Sequence, residues 1–238
     1  RMLETIRQYA HEKLSERESG GDGLSAHLQD RHLAYFLALS LTLGPKLHTA
    51  QIMETLQILD LETDNLRSAI TWGLSKSNPR GAENVLDILN SLDYFWAIRA
   101  LYWETFPRFQ RAIDQIPDDS AFSIELKAWG YYVFSHLQVD FNIGVETLEY
   151  LNQSIMKFRQ GGNRMRLAQV LALRCHIIFR QILFFPPDPA FCEEDAQRDK
   201  QECLSIVNEL TISPTNEILS ILAWINCWIG AGELFHGA

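Results

Sequence analysis

Apolar residues recur at intervals of three and four along nearly the whole chain, the spacing that gathers them on one face of an α-helix. Leu3, Ile6, Ala10 and Leu14 mark a first helix, which ends in Ser19-Gly20-Gly21-Asp22-Gly23, a linker by composition. A second carries Leu33, Phe36, Leu37, Ser40 and Leu41 and stops at Gly44-Pro45. Ile52, Leu56 and Leu59 predict a third helix, and Leu66, Ala69, Ile70, Gly73 and Leu74 a fourth, closed by Ser77-Asn78-Pro79. Val85, Leu89, Leu92 and Trp96 follow, then Phe106, Phe109, Ile113 and Ile116, ended by Pro117.

Caps punctuate the second half. Asp119 or Ser120 stands where a side-chain oxygen can accept the first free N–H groups of a helix carrying Leu126, Trp129, Val133 and Leu137. Asn142 can do the same for Leu148, Leu151, Ile155 and Phe158, a run closed by Gly161-Gly162. Ala168, Leu171, Cys175, Ile178 and Ile182 end at Pro186-Pro187, and a polar helix from about Cys192 to Leu210 carries Cys203 and Ile206. Ser213-Pro214 then opens Ile218, Leu222, Ile225 and Ile229. No segment sustains the alternation of a half-buried strand. The pattern predicts an all-α fold of stacked antiparallel helix pairs, about ten or eleven helices of roughly 12 to 20 residues. Ala128 and Ala168, 40 residues apart, occupy equivalent points of successive pairs.

Composition narrows the function classes. Apolar residues make up 47% and charged residues 21%, enough to bury a core and unlike a disordered chain. A net charge of −9 disfavours direct binding to nucleic acid or to an anionic membrane, which draw on a basic face. Cys175, Cys192, Cys203 and Cys227 include no C-x-x-C pair and read as reduced, mostly buried thiols. The longest apolar stretch, Ile218 to Phe235, is broken by Asn226 and two glycines, so a cytoplasmic location is expected. Because Arg1-Met2-Leu3 already lies inside an amphipathic pattern, the chain reads as a piece of something longer.

Several segments resemble a known family. Arg1-Met2-Leu3-Glu4-Thr5-Ile6-Arg7-Gln8-Tyr9-Ala10 resembles the segment that closes the winged-helix part of bacterial STAND-type signalling ATPases, often coupled to LuxR-type output domains. Arg31 to Leu39 is similar to that family's next helix. Leu61-Glu62-Thr63-Asp64-Asn65-Leu66-Arg67-Ser68-Ala69-Ile70-Thr71-Trp72 resembles its E-x-D-N-L-R-x-A-L-x-W motif. Phe95-Trp96 with Arg99 and Glu104 resembles its F-W-x-x-R-G-x-x-x-E-G pattern, with Ala100 and Thr105 in place of the glycines. After residue 120 the likeness is to degenerate tetratricopeptide-like pairs: Asp140 to Gly144 stands where those repeats carry G-D-Y-x-x-A, and Phe158-Arg159, Gly162-Asn163 and Ala168 where they carry F-R-E-L-G-D and the packing alanine. The resemblance implies three parts: 1–17, the last helix of a winged-helix domain; 18–117, a linking helical-pair region; and 118–238, tetratricopeptide-like repeats.

Searching for chemistry yields little. No G-x-x-x-x-G-K-[ST] cradle for phosphates occurs, so no residue is assigned to nucleotide. Asp60-x-Glu62-x-Asp64 fails as a calcium loop, since Asn65 and Thr71 stand where glycine and glutamate belong; Asp64 and Asn65 read instead as flanking a helix start. His27 and His32 miss the spacing of a zinc helix, and Cys175-His176 point apart on a helix. Neither metal nor cofactor is expected, and no catalytic residue is assigned.

The densest feature is aromatic: Tyr94, Phe95, Trp96, Tyr102, Trp103 and Phe106, with Arg99 and Arg108 nearby. Most of these rings are expected in helix packing. Since Trp, Tyr and Arg dominate interface hot spots, the candidates for partner binding are Trp96, Arg99, Tyr102, Trp103, Arg108, Tyr131 and Tyr132. Lys157, Arg159, Arg164 and Arg166 form the basic concentration, a solvated turn or a contact to an acidic partner. Glu193-Glu194-Asp195 suits a helix N-terminus.

The reading that combines these is a non-catalytic regulatory, protein-interaction segment of a signal-transduction ATPase of the transcriptional-regulator type, contacting a protein or peptide partner or the upstream nucleotide-binding domain. A free-standing tetratricopeptide-like adaptor is the alternative, and an α-helical enzyme with a scattered site the third.

Overall fold

The computed structural model describes residues 24–75, 78, 80–139 and 144–210, with Tyr9, Glu12 and Lys13. Among these every regular element is helical and none is a strand. The apolar residues that mark the predicted helix over Leu3–Leu14, the glycine linker, Asn142 and the helix after Ser213 lie outside the described residues. The chain divides into two compact units, Arg1–Gln115 and Ile116–Ala238.

In the first unit, α1 (Leu24–Leu43) is followed by a 3-10 turn (Gly44–His48), α2 (Ile52–Gly73), α3 (Gly81–Ser91), α4 (Asp93–Ile98) and α5 (Tyr102–Gln115). Leu33, Leu47, Leu59, Leu66, Ile70, Leu86, Ile88, Leu89, Phe95, Trp96 and Phe109 are fully buried and form its core. The two helices expected between Ile52 and Leu74 are one. Residues 60–65 contain neither glycine nor proline, and Leu59 and Leu66 stand seven apart, so the apolar face runs on uninterrupted. Asp64 and Asn65 are therefore mid-helix, where the Asn65 amide donates to Glu62 (2.7 Å). Conversely, the single helix expected through Val85 and Trp96 breaks at Leu92, and Asp93 accepts the Tyr94 N–H (2.6 Å) to open α4.

Glycines let α2 and α3 meet backbone to backbone. A Cβ on Gly81 would lie 2.3 Å from the Gly73 carbonyl oxygen. Farther out, α2 and α5 run parallel: Arg67 bonds Glu104 and Arg111 bonds the Leu74 carbonyl, both across 37 residues.

The second unit holds α6 (Ala121–Gln138), α7 (Val145–Gly161), α8 (Arg164–Phe184) and α9 (Glu193–Leu210). Ser120, rather than Asp119, caps α6: it accepts from the Ser123 N–H, and the Ser123 hydroxyl reaches back to Ser120. Gly144 is the cap residue of α7 and offers no side-chain bond. Gly162 ends that helix at φ +76°, a left-handed turn glycine adopts freely, and Asn163 caps α8. Glu193, Glu194 and Asp195 occupy the first turn of α9.

Pairs α6–α7 and α8–α9 are antiparallel and share one device. The Ser154 hydroxyl on α7 donates to the Ala128 carbonyl on α6 (2.7 Å), and the Cys203 thiol on α9 donates to the Ala168 carbonyl on α8 (3.1 Å). Both alanines are fully buried, because only a small side chain admits so close a neighbour; their equivalence holds. Bonds about one repeat apart recur: Asn163 to Glu125 (38 residues) and Arg180 to the Val139 carbonyl (41) join one pair to the next, and Lys157 of α7 reaches Asp118 just before α6 (39). Apolar enough by length and composition to cross a membrane, α8 nevertheless has 61% of its most apolar window buried inside the fold, as a core helix would.

Candidate functional site

The corner between α4 and α5 carries most of the candidate residues. Ala100 turns the chain there at φ +51°, the left-handed region that disfavours any side chain beyond glycine. Arg99 before it forms a fork on Asp60 of α2 (2.7 and 2.6 Å). Glu104 after it accepts Nε and Nη2 of Arg67 (both 2.9 Å) and lies 3.4 Å from Arg108. Between these clasps Trp103 is 88% exposed, while Leu61, the neighbour of Asp60, is 83% exposed. The Arg99 hydrogen bond holds the Asp60 carboxyl below its usual range. Burial pushes Glu104 up, but Arg67 and Arg108 together outweigh this and leave it lowered.

Trp96, by contrast, is 1% exposed; its ring packs edge-on to Phe95, and its indole N–H donates to the Leu89 carbonyl (3.2 Å). Packing inside the core removes it from any surface. Tyr102 is half-buried and donates its hydroxyl to the Ala97 carbonyl (2.8 Å), closing the corner from within. Tyr131 and Tyr132 belong to the second unit. Tyr131 stacks on Tyr150, and Tyr132 lies between Trp129 and His136. Arg166 covers the other face of Trp129, 3.6 Å from its centre, so guanidinium, indole, phenol and imidazole form one ladder.

The basic concentration is distributed among partners. Lys157 is buried with Lys127 on opposite oxygens of Asp118 (2.7 and 3.0 Å), while Arg159 pairs with Glu202 and Arg164 with Glu209. Lys157 and Lys127 hold Asp118 below the ordinary carboxylate range. Asp199, almost wholly buried, is clasped by Arg174, though burial still drives its carboxyl upward.

The acidic run on α2 is taken up by local partners. Asp60, Glu62 and Asp64 turn to Arg99, Asn65 and Arg67 respectively. Among the described residues no three metal-ligating side chains gather. Burial pushes the Cys175 and Cys203 thiols up to about 12 and His176 down to about 4, so neither thiol is an activated nucleophile.

One feature lacks a sequence motif. Gln29 and His32 of α1, Asp64, Arg67, Ser68, Thr71 and Trp72 along α2, and Ser75 just after it line a groove of about 610 Å³. The signal for it is the pair of short hydroxyl side chains at positions 68 and 71, on one helix face of α2, with a third at 75 just beyond its end.

No family profile matches the chain. Nor does any solved structure. Over 100 residues it is 35% identical to proteins named "Putative HTH-type transcriptional regulator" in Mycobacterium bovis and in two Mycobacterium tuberculosis strains, CDC 1551 and H37Rv. The match covers 42% of this chain but only 10% of each relative, so what this chain resembles is a small part of long regulator-type proteins.

Proposed function

We propose that this chain is a non-catalytic helical-repeat arm of a cytoplasmic transcriptional regulator of the STAND ATPase type. The observation that carries the reading is its similarity to a tenth of long proteins named as HTH-type transcriptional regulators. Support comes from the two motif segments of the first unit, which are each other's partners through Arg67 and Glu104. Stacked helix pairs contact mainly their neighbours and leave long side-chain faces for recognition. An effector or protein that prefers one arrangement of such an arm biases the attached switch by its differential affinity alone. In the first unit the partner contact is the Trp103 corner, an exposed aromatic between two arginine–carboxylate clasps.

Sequencing the surrounding reading frame tests the attachment. A phosphate-binding loop of G-x-x-x-x-G-K-[ST] type upstream in the same frame is expected, and an adjacent start codon without one means a free-standing adaptor instead. In the full-length protein, Trp103→Ala is expected to alter effector-dependent ATPase or transcriptional output while leaving folding intact. Turnover of a hydrolase substrate by the isolated chain would overturn the non-catalytic reading.

A further inference from the structure

The groove between α1 and α2 has a chemistry of its own. Asp64, Ser68 and Thr71 follow one another by four and three residues on α2 and so present a single polar wall, with Ser75 just past the end of the helix. Ser68, Thr71 and Ser75 are short, which is why a space of about 610 Å³ remains, within the 300–1,000 Å³ range typical of small-molecule sites. Trp72 is half-buried in this wall, and its indole N–H donates to Asp30 (2.8 Å), which also accepts from Asn78 (3.1 Å). Those bonds fix the ring.

The charges cancel. Asp64 and Arg67 pair at 2.9 Å, and the rest of the Arg67 fork is held by Glu104. Burial holds His32 below its ordinary value, outweighing the pull of Glu62, and favours the neutral imidazole. An ionic ligand therefore finds no unmatched charge among these side chains.

We propose that the α1–α2 groove binds a neutral, polyhydroxylated ligand of the saccharide class, stacked by its C–H face on Trp72 and hydrogen-bonded by Ser68, Thr71, Gln29 and His32. An aromatic face supplies apolar contact to the ring carbons, and mixed donors and acceptors match the hydroxyls. The inference requires no attached ATPase, so it stands or falls apart from the function proposed above.

The test is titration of the 238-residue chain with cellotriose, xylotriose and triacetylchitotriose, followed by tryptophan fluorescence and calorimetry. Glucose 6-phosphate and galacturonate serve as charged counterparts. At least one neutral trisaccharide is expected to saturate below about 10 mM, with the charged sugars weaker. Ser68→Leu, at an exposed position that fills the groove, is expected to weaken binding at least about tenfold with an unchanged helical circular dichroism spectrum. Failure of all three neutral probes to saturate, tighter binding of the charged sugars, or unchanged binding in Ser68→Leu overturns the proposal.

Discussion

Arg67 and Glu104 clasp each other through two parallel hydrogen bonds of 2.9 Å, Nε to Oε2 and Nη2 to Oε1, across 37 residues of chain. The pair pins the start of α5 to the middle of α2. Since Arg67 is 38% exposed and Glu104 26%, solvent screens it, and Glu104→Gln is expected to lower stability by about 1 kcal/mol at neutral pH. Glu104 titrates below its ordinary value when folded. Its contribution is thus present above the unfolded carboxylate range and disappears as pH falls through the folded value. Urea denaturation of both proteins checks this. A difference that persists unchanged at about pH 2 would refute the assignment.

The corner beside that pair carries strain that a smaller residue relieves. At φ +51°, Ala100 sits where a Cβ costs about 1–2 kcal/mol. Ala100→Gly is expected to stabilise the first unit by roughly 0.5–1 kcal/mol after the added unfolded-state freedom of glycine is subtracted. Ala100→Val should destabilise it. Thermal melts that rank the two variants the other way would contradict this account.

Asp118 neutralises two lysines that are themselves nearly inaccessible, Lys127 at 8% and Lys157 at 5% exposure. Asp118→Asn leaves two ammonium groups together without a carboxylate. The expected loss is roughly 2–3 kcal/mol, less than the 3–5 kcal/mol of a wholly buried pair because Asp118 itself reaches solvent. Adding Lys157→Met should recover part of that loss. A double variant no more stable than Asp118→Asn alone would argue against charge as the cause.

Two glycines are expected to respond oppositely to alanine. Gly81 abuts the backbone of Gly73, with a Cβ only 2.3 Å from its carbonyl oxygen, so Gly81→Ala forces α2 and α3 apart and should cost about 1–3 kcal/mol. Gly161 has open space around it at the end of α7, where alanine's better helix propensity should gain up to about 1 kcal/mol. Chemical denaturation midpoints of the two variants decide the matter.

Local chemistry alone determined much of this protein. Apolar spacing announced the helices, and Ser120, Gly162 and the alanines at 128 and 168 announced a cap, a stop and two close packings, because each depends on the residue and its immediate helical neighbours. Even there, continuity was hidden: residues 60–65 look like a boundary only until the apolar faces on either side are seen to share one direction. Tertiary structure alone decided which ring faces in and which faces out. Trp96 and Trp103 are both aromatic neighbours of the same corner, yet one is 1% and the other 88% exposed, since the left-handed turn at Ala100 reverses the face presented to the core. It also decided which charges meet. Partners 37 to 41 residues apart depend on how whole helix faces stack, information no single window of sequence contains.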